Sequence, residues 1–426
     1  MNDGPSFVLS DWLHYLESRQ AVQIQLGLDR VRRVAAQLGL LSFNVPVITV
    51  AGTNGKGSTV AALTGIYIAA GYSVGTYTSP HLLRFNERIC LNQLPISDHD
   101  LCRAFSVIHE LPDSRVLTYF EMSTLAALLY FKWTKPEVIV LEVGMGGRLD
   151  ATNVIDADAS ILTTIDFDHQ AFLGNTRDEI GYEKAGIMRQ DKPVIYADLD
   201  APPSVRAHAK KVGATAYYLN ESYAFDLSND VFVLSLAKDQ SWCLPIPLIN
   251  VKAMASAIVL TRLLEPRLPL TEKAWVEAIR CVRVPARLQR KVDEDGVHHV
   301  FDVAHNPQAV RLLVDYLETY RGHGKIYAVF SGLKDKDLCG LIKPLSDVVH
   351  AWYPALLSGS RAADALCLQT AFSDAIHCSP DCYEDPVQAY DAAKSVAGAG
   401  DCIVVYGSFL TVGAVIACRV QIEENS

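Results

Sequence analysis

Long apolar runs, an excess of basic residues and low-complexity segments are all missing from this sequence of 426 residues. No apolar run approaches the roughly 18 to 20 residues that a membrane-spanning helix needs. The segment from Met1 to Leu16 is acidic and polar, unlike a signal peptide. The formal net charge is −10, whereas general nucleic-acid binding depends on basic patches. We therefore expect a cytoplasmic protein that binds neither membranes nor nucleic acids.

A dense cysteine framework is also missing. Ten cysteines are scattered between Cys90 and Cys418, a distribution that fits reduced thiols rather than disulfide pairs. Hydrophobic residues make up 50% of the chain and charged residues 20%, so the protein can bury large cores. The length predicts about two to three domains.

A glycine-rich loop between a strand pattern and a helix pattern is the most informative stretch. It follows the β-branched run Val47–Ala51, and its residues are Asn54, Gly55, Lys56, Gly57 and Ser58. Glycines let backbone N–H groups approach a polyphosphate, and a helix N-terminus adds partial positive charge. Lys56 would neutralise phosphate oxygens, and Ser58 or Thr59 would offer a hydroxyl to Mg²⁺.

The same loop departs from the common P-loop pattern. Val50 stands where the first glycine of that pattern belongs, and Gly57 separates the lysine from the hydroxyl. The alternative interpretation is a tight strand-to-helix turn that binds nothing. The strand, the lysine and the hydroxyls in this order favour a phosphate-binding loop.

Three further polar residues follow predicted strands. Ser79 comes after the strand at 73–78, Glu142 lies near the end of the strand at 137–144, and His169 follows the strand at 159–165. The strand–helix–strand order predicts a parallel sheet, which places ligands at the carboxyl ends of its strands. We predict that Ser79, Glu142 and His169 bind Mg²⁺ together with Ser58. Alternatively, Ser79 belongs to a simple turn and His169 is a hydrogen-bonding residue at a strand end.

The second half of the chain begins a new α/β pattern. The region from Tyr196 to about residue 248 looks less regular, and Asn250 then opens a helical pattern as an N-cap. Later, Asp302, His305 and Asn306 follow a strand, where they either face a ligand or start a helix with Pro307 at its first position.

These patterns predict an α/β protein with two units. The first is an N-terminal P-loop-type, mostly parallel sheet flanked by helices and spans residues 1–284. The second is a smaller, Rossmann-like α/β domain spanning residues 291–426, and residues 285–290 form the linker.

Six stretches resemble motifs of the folylpolyglutamate synthase family, relatives of the Mur ligases, and in particular its bacterial bifunctional branch, which also has dihydrofolate synthase activity. They are residues 52–58 (GTNGKGS), 78–82 (TSPHL), 141–153 (LEVGMGGRLDATN), 168–174 (DHQAFLG), 183–187 (EKAGI) and 302–307 (DVAHNP). The glycine after Lys56 is similar to the folate branch, since Mur ligases usually place the hydroxyl directly after the lysine. Ala286, where glycine is usual, and Leu288, where phenylalanine is usual, depart from the family pattern.

The resemblance implies a site of several parts. It implies ATP as co-substrate, two Mg²⁺ ions held by Ser58, Ser79, Glu142 and His169, and a monovalent cation as a further expectation. Lys56, His169 and Lys184 would be the catalytic residues, with Lys184 carbamylated. Besides the loop, the ATP-binding residues would be Asn250, Arg287, Asp302 and His305. The dihydropteroate-binding residues would be Leu26, Gly27, Leu28, Thr118, Tyr119, Phe120, Glu121, Leu149, Asp150 and Ala151.

The implied activity is ATP-dependent ligation of L-glutamate to 7,8-dihydropteroate, and of further glutamates to reduced folates by γ-linkage, through an acyl phosphate. The expected partners are these small molecules, and the expected oligomeric state is a monomer. One alternative is a monofunctional folylpolyglutamate synthase, and another is a Mur-type ligase acting on a UDP-sugar peptide. A nucleotide-binding switch that forms no amide bond is the alternative from a different class.

Overall fold

The computed structural model describes residues 7–19, 25–228, 231–236, 240–320 and 323–419. This part of the chain forms two compact units. Unit one runs up to His81 and continues over Phe85–Arg283, whereas unit two consists of Leu82–Arg84 and the chain from Val284 onward. Within the described ranges, no helix combines the length and apolar character that crossing a membrane requires.

Unit one is built on a large, mostly parallel sheet. Its strands, in the order β4-β3-β2-β5-β1-β6-β7-β8, are β1 (Val47–Ala51), β2 (Val74–Tyr77), β3 (Ile89–Leu91), β4 (Leu94–Pro95), β5 (Val138–Glu142), β6 (Ala159–Leu162), β7 (Pro193–Tyr196) and β8 (Thr215–Tyr218). At one edge, β3 pairs antiparallel with both β2 and β4, and the other neighbouring strands are parallel. Every residue of β1 and of β5 is buried, as expected for central strands covered on both faces.

Helices cover both faces of this sheet. They are α1 (Leu9–Arg19), α2 (Asp29–Leu38), α3 (Lys56–Ala69), α4 (Asp98–His109), α5 (Tyr119–Thr134), α6 (Gln170–Leu173), α7 (Arg177–Ala185), α8 (Pro203–Val212), α9 (Val251–Leu263) and α10 (Glu272–Cys281). One core packs α3, α9 and α10 around Ile66, Met254 and Trp275. Another packs α1, α2, α4 and α5 around Phe105 and Leu125.

The region after β8 is more regular than the sequence pattern predicts. The strands β9 (Tyr223–Ser228), β10 (Val231–Leu236) and β11 (Gln240–Leu244) form a separate antiparallel sheet with β10 in the middle. Burial alternates along β10, so one face of this small sheet packs into the core and the other faces outward. The prediction of an irregular segment was therefore wrong here. The strand predicted at 159–165 is also shorter, because its ladder ends at Leu162.

Unit two has a five-stranded sheet in the order β12-β13-β16-β14-β15. Its elements are β12 (Gln289–Val292), β13 (His298–Asp302), α11 (Pro307–Leu317), β14 (Ile326–Phe330), α12 (Leu338–Ile342), β15 (Ala351–Pro354), α13 (Ala365–Ile376), α14 (Pro386–Val396), β16 (Cys402–Tyr406) and α15 (Phe409–Arg419). β12 pairs antiparallel with β13, and the other neighbours are parallel. The α/β architecture predicted from the sequence is confirmed.

Ala286 and Leu288, the two residues that depart from the family pattern, have left-handed backbone conformations. Ala286 has φ 54° and Leu288 has φ 46°, a region that costs an L-residue roughly 1–2 kcal/mol and costs glycine almost nothing. Val303 N–H donates to the Ala286 carbonyl over 3.0 Å, and Ala286 N–H donates to Gln289 Oε1 over 2.9 Å. These bonds hold the turn at a position where glycine would fit with less strain.

The close approach of α3 to α10 gives a test of this packing. A Cβ built on Gly65 would lie 2.3 Å from Val282 Cγ2. Helix propensity alone makes Gly→Ala favourable by about 1 kcal/mol, but overpacking costs about 1–3 kcal/mol. We therefore expect Gly65→Ala to lower the free energy of unfolding, as measured by urea denaturation.

The double variant separates the two effects. In a Val282→Ala background the overlap is removed, so Gly65→Ala should become neutral or stabilising there. A Gly65→Ala variant that is more stable than the wild type in both backgrounds contradicts this packing.

Candidate active site at the carboxyl ends of the unit-one strands

The glycine-rich loop joins β1 to α3 in the predicted order of strand, loop and helix. Gly55 is the N-cap of α3 and has φ 88°, a conformation that glycine adopts without strain. Gly52 has φ 149°, and a Cβ built there would lie 1.7 Å from Thr163 Oγ1. No side chain fits at Gly52 without moving the neighbouring segment. The 14-residue helix α3 therefore begins directly after a glycine-rich loop, and an anion can come close to the backbone N–H groups at such a helix N-terminus.

The segment after β6 fixes this loop by hydrogen bonds that the sequence did not reveal. Thr163 Oγ1 donates to the Asn54 carbonyl over 2.7 Å, and Asn54 N–H donates to Thr164 Oγ1 over 3.1 Å. Thr53 exchanges two hydrogen bonds with the backbone of Asp166, at 3.0 and 3.1 Å. The only sequence signal for this role was a pair of hydroxyl residues following a strand beside β1.

Two lysine ammonium groups converge on one carbonyl of the loop. Lys56 Nζ donates to the carbonyls of Gly52 and Thr53, at 3.0 and 3.1 Å. Lys184, which α7 supplies, donates from Nζ to the same Gly52 carbonyl over 2.9 Å and is only 4% exposed. Burial and the neighbouring charge of Lys56 lower the pKa of Lys184 to about 7. Such concentrated positive charge favours a bound polyanion.

Glu142 brings a buried carboxylate to the same loop. It ends β5, is 5% exposed, and its Oε2 accepts the Ser79 N–H over 3.2 Å. A Cβ built on Gly57 would lie 3.8 Å from that oxygen, so the carboxylate faces the first turn of α3. The structure therefore joins Ser79, Glu142 and the phosphate loop as the sequence predicted.

His169 lies in the segment after the neighbouring strand. It is the N-cap of α6 with φ 51°, its N–H donates to Asp168 Oδ1 over 2.8 Å, and its Nε2 is 3.8 Å from Asp168 Oδ2. The strands that lead to Ser79, Glu142, the loop and His169 are β2, β5, β1 and β6, which are adjacent in the sheet. All four groups thus follow the carboxyl ends of neighbouring parallel strands.

This donor set fits Mg²⁺. Within the described ranges, no group of three or more His, Cys, Asp and Glu side chains is placed to hold a metal ion. Mg²⁺ is usually held by one or two carboxylates, with water and substrate phosphates completing the shell. The buried Glu142 carboxylate beside a phosphate-type loop matches that mode, and Ser58, Ser79 and His169 are the other residues predicted to donate to the ion.

The stretches predicted to bind dihydropteroate lie together in unit one. Gly27 N–H donates to the Leu149 carbonyl over 3.3 Å. Thr118 and Glu121 form a capping box at the start of α5. Arg30, on α2, pairs with Glu121 at 3.1 Å, a contact for which the sequence has no local signal. Phe120 lies against the Gly144 backbone, since a Cβ built on Gly144 would be 2.4 Å from its ring.

Asp150 holds its own loop in place. Its carboxylate accepts the Met145 N–H at 2.9 Å, the Thr152 N–H at 3.0 Å and the Thr152 hydroxyl at 2.7 Å. Burial raises the pKa of Asp150, and these hydrogen bonds oppose the rise. The side chain therefore shapes the turn between β5 and Ala151, which leaves the backbone and neighbouring residues to contact a ligand.

The predicted ATP-binding residues are divided between the units. In unit one, Asn250 caps α9 by accepting the Lys252 N–H over 2.9 Å. In unit two, Asp302 ends β13 and accepts the Leu288 and Ala304 N–H groups, each over 2.7 Å. Burial raises the pKa of Asp302, and the charge of Arg287 opposes this.

The Phe409 ring lies near two of the predicted ATP-binding residues of unit two, Arg287 and His305. Phe409 itself was not identified from the sequence. The Arg287 guanidinium lies 5.1 Å from its ring centroid, and the His305 ring lies 6.2 Å from it. Asn306 caps α11 by accepting the Ala309 N–H over 3.0 Å, as the alternative interpretation of that motif predicted. Arg287, Asp302 and His305 therefore gather at one end of the unit-two sheet.

The pKa of Lys184 predicts a pH-dependent stability. Between pH 7 and 10.5 the unfolded chain keeps the proton of Lys184 and the folded chain has released it, so stability rises with pH. The cost of burying the ammonium is fully present below pH 7. We expect Lys184→Met to stabilise the protein most near pH 6, and to lose about 2 kcal/mol of that advantage between pH 7 and 9.

The measurement is urea unfolding at pH 6, 7 and 9, without nucleotide or metal and in buffer free of CO₂. Lys211→Met, which removes an exposed ammonium from α8, measures the general effect of losing one positive charge. An advantage of Lys184→Met that is constant from pH 6 to 9 contradicts the shifted pKa.

Comparison with known proteins identifies the family of the chain. The model of the Mur ligase middle domain matches residues 50–232, and the model of the Mur ligase glutamate ligase domain matches residues 286–409. The chain is 39% identical to the dihydrofolate synthase/folylpolyglutamate synthase of Escherichia coli K12, over 96% of this chain and 94% of that one. It is 31% identical to the protein of the same name from Bacillus subtilis, over 93% and 95%.

Solved structures agree. Escherichia coli FolC in complex with DHPP and ADP superposes with a TM-score of 0.90 at 38% identity, covering 96% of this chain and 97% of that chain. The bifunctional folylpolyglutamate synthase/dihydrofolate synthase of Yersinia pestis, complexed with AMPPNP and Mn, has a TM-score of 0.90 at 38% identity and covers 98% and 99%. This chain therefore belongs to the dihydrofolate synthase/folylpolyglutamate synthase family of the Mur ligases.

Proposed function

We propose that this protein is an ATP-dependent ligase that joins L-glutamate to 7,8-dihydropteroate and adds further glutamates to reduced folates by γ-linkage. The observation that carries the proposal is the convergence of Lys56 and Lys184 on the Gly52 carbonyl, in the loop that the Glu142 carboxylate faces. The Escherichia coli relative binds DHPP and ADP. A bifunctional relative binds Mn, AMPPNP and L-glutamate.

The chemistry requires an activated carboxylate, because a free carboxylate is a poor acyl donor. A carboxylate oxygen of the pterin-bearing substrate attacks the γ-phosphorus of ATP, the bond to the β-phosphate oxygen breaks, and ADP leaves. The glutamate amine then attacks the acyl phosphate carbon, phosphate leaves, and the amine loses a proton. Transfer of this kind depends on positioning and charge neutralisation.

The loop supplies those two requirements in this proposal. Backbone N–H groups of residues 54–58 and the N-terminus of α3 cradle the phosphates, and Lys56 neutralises their charge. Glu142, Ser58, Ser79 and His169 would hold Mg²⁺, which when bound neutralises charge on the transferred phosphoryl group. The other residues that we propose to bind ATP are Asn250 in unit one and Arg287, Asp302 and His305 in unit two.

Lys184 suits conversion to a carbamate. Only the neutral amine reacts with CO₂, and a pKa of about 7 leaves a substantial neutral fraction at neutral pH. The amine nitrogen bonds to the carbon of CO₂ and releases a proton, which replaces a buried cation by an anion. An anion beside a second Mg²⁺ is attracted to it, whereas an ammonium group is repelled.

Phosphate release tests the function directly. The purified protein should release phosphate from ATP only when L-glutamate and a pterin-bearing acid are both present. Dihydropteroate and a reduced folate are supplied in separate reactions. Release with both substrates supports the bifunctional enzyme, and release with the folate alone supports a monofunctional folylpolyglutamate synthase. Release with neither substrate contradicts the proposal.

Lys56→Ala tests the phosphate loop. Loss of one charge-stabilising group from a preorganised site lowers turnover by about 10²- to 10³-fold, and we expect that loss in glutamate addition to dihydropteroate. Lys211→Ala, on the exposed part of α8, is the matched control and should retain full activity. Wild-type turnover in Lys56→Ala would refute the role of this lysine.

A further inference from the structure

Arg88 is a buried cation that the site described above does not use. It ends the short 3₁₀ turn Phe85–Arg88, directly before β3, and is 8% exposed. Its Nε donates to His81 Nδ1 over 2.9 Å. Its guanidinium carbon lies 5.2 Å from the Phe85 ring centroid and 5.5 Å from that of Tyr119, so two aromatic rings restrict its plane.

The terminal amino groups of Arg88 have no acidic partner in the described part of the chain. Other arginines of unit one differ in this respect, since Arg148 pairs with Glu183 at 2.8 Å and Arg30 pairs with Glu121 at 3.1 Å. A buried charge without a counterion is unfavourable. A guanidinium whose two terminal amino groups are available matches a carboxylate in a bidentate geometry.

The position of Arg88 suggests which carboxylate this is. Tyr119, beneath the guanidinium, belongs to the stretch 118–121, which is predicted to bind dihydropteroate. The Arg88 carbonyl accepts the Thr78 N–H over 2.8 Å, and the next residue, Ser79, donates to Glu142. Arg88 therefore lies between Tyr119, in the stretch predicted to bind dihydropteroate, and the end of β2 beside the phosphate loop. A pterin-bearing acid that extends from one to the other passes this residue with its carboxylate end.

We propose that Arg88 binds a carboxylate of the pterin-bearing substrate through its two terminal amino groups, with Phe85 and Tyr119 fixing the guanidinium plane. The inference rests on the proposed function. Dihydropteroate has one carboxylate, the reacting one. A folate also has the α-carboxylate of its glutamate, which does not react in γ-linkage. Either carboxylate has the chemistry that Arg88 recognises, and two ligand pairs distinguish them.

Binding calorimetry without nucleotide or metal is the test. The first pair is dihydropteroate and its analogue with hydrogen in place of the carboxylate. The second pair is a reduced folate and its α-carboxamide. We expect the wild type to favour the acid in at least one pair by about 10- to 100-fold, as charge-assisted hydrogen bonds do. Arg88→Met should abolish that preference, and the pair affected identifies the carboxylate.

Two variants make the result specific. Arg88→Lys keeps the charge without the planar geometry and should retain part of the preference. Arg103→Met removes another guanidinium stacked on a ring, 4.4 Å from the Trp133 centroid, and should bind all four ligands like the wild type. Arg88→Gln replaces Arg88→Met if the latter does not fold in a thermal unfolding assay.

The contrary outcomes are distinct. If the Arg88 variants keep the wild-type preference in both pairs, or weaken all four ligands equally, the residue has only a structural role and the inference is wrong. If the wild type binds no pterin at all, the proposed function and this inference fail together. If the wild type binds pterins but binds the acid and its uncharged analogue equally in both pairs, the proposed role of Arg88 is wrong and the proposed function stands.

Discussion

The Gly52 carbonyl is the point on which the site depends. It accepts hydrogen bonds from two ammonium groups, those of Lys56 and Lys184, at a residue whose own conformation leaves no room for a side chain. Two like charges on one buried acceptor are unfavourable by themselves. The arrangement becomes favourable when a polyphosphate lies beside Lys56 and when the second lysine loses its charge.

The sheet explains how distant parts of the chain reach that point. Adjacent parallel strands deliver Ser79, Glu142, the glycine loop and the His169 segment to one edge, although these residues are far apart in sequence. Their immediate surroundings are then fixed by backbone hydrogen bonds, such as those from Thr163 and to Thr164. The proposed ligase chemistry uses this rigidity, because phosphoryl transfer requires groups that are in place before the reaction.

Much of this site could be predicted from the sequence because strand ends and glycine loops have local signals. Ser79 and Glu142 each follow an apolar run, so their meeting at one sheet edge follows from the parallel topology. Arg30, Arg88 and Phe409 have no such signal, since the role of each depends on a residue distant in sequence. These residues are Glu121 for Arg30, Tyr119 for Arg88 and Arg287 for Phe409. The sheet of β9, β10 and β11 was missed although β10 alternates in burial, because at least half of the residues in each flanking strand are exposed and carry a weak pattern.

In the proposed mechanism, a carboxylate of the substrate is activated as an acyl phosphate. The most direct measurement uses dihydropteroate with both carboxylate oxygens labelled as ¹⁸O, incubated with the protein, ATP and L-glutamate. One labelled oxygen should move to the released inorganic phosphate, where ³¹P NMR detects it as an isotope shift. Amide formation with unlabelled phosphate as the product would contradict the acyl phosphate mechanism.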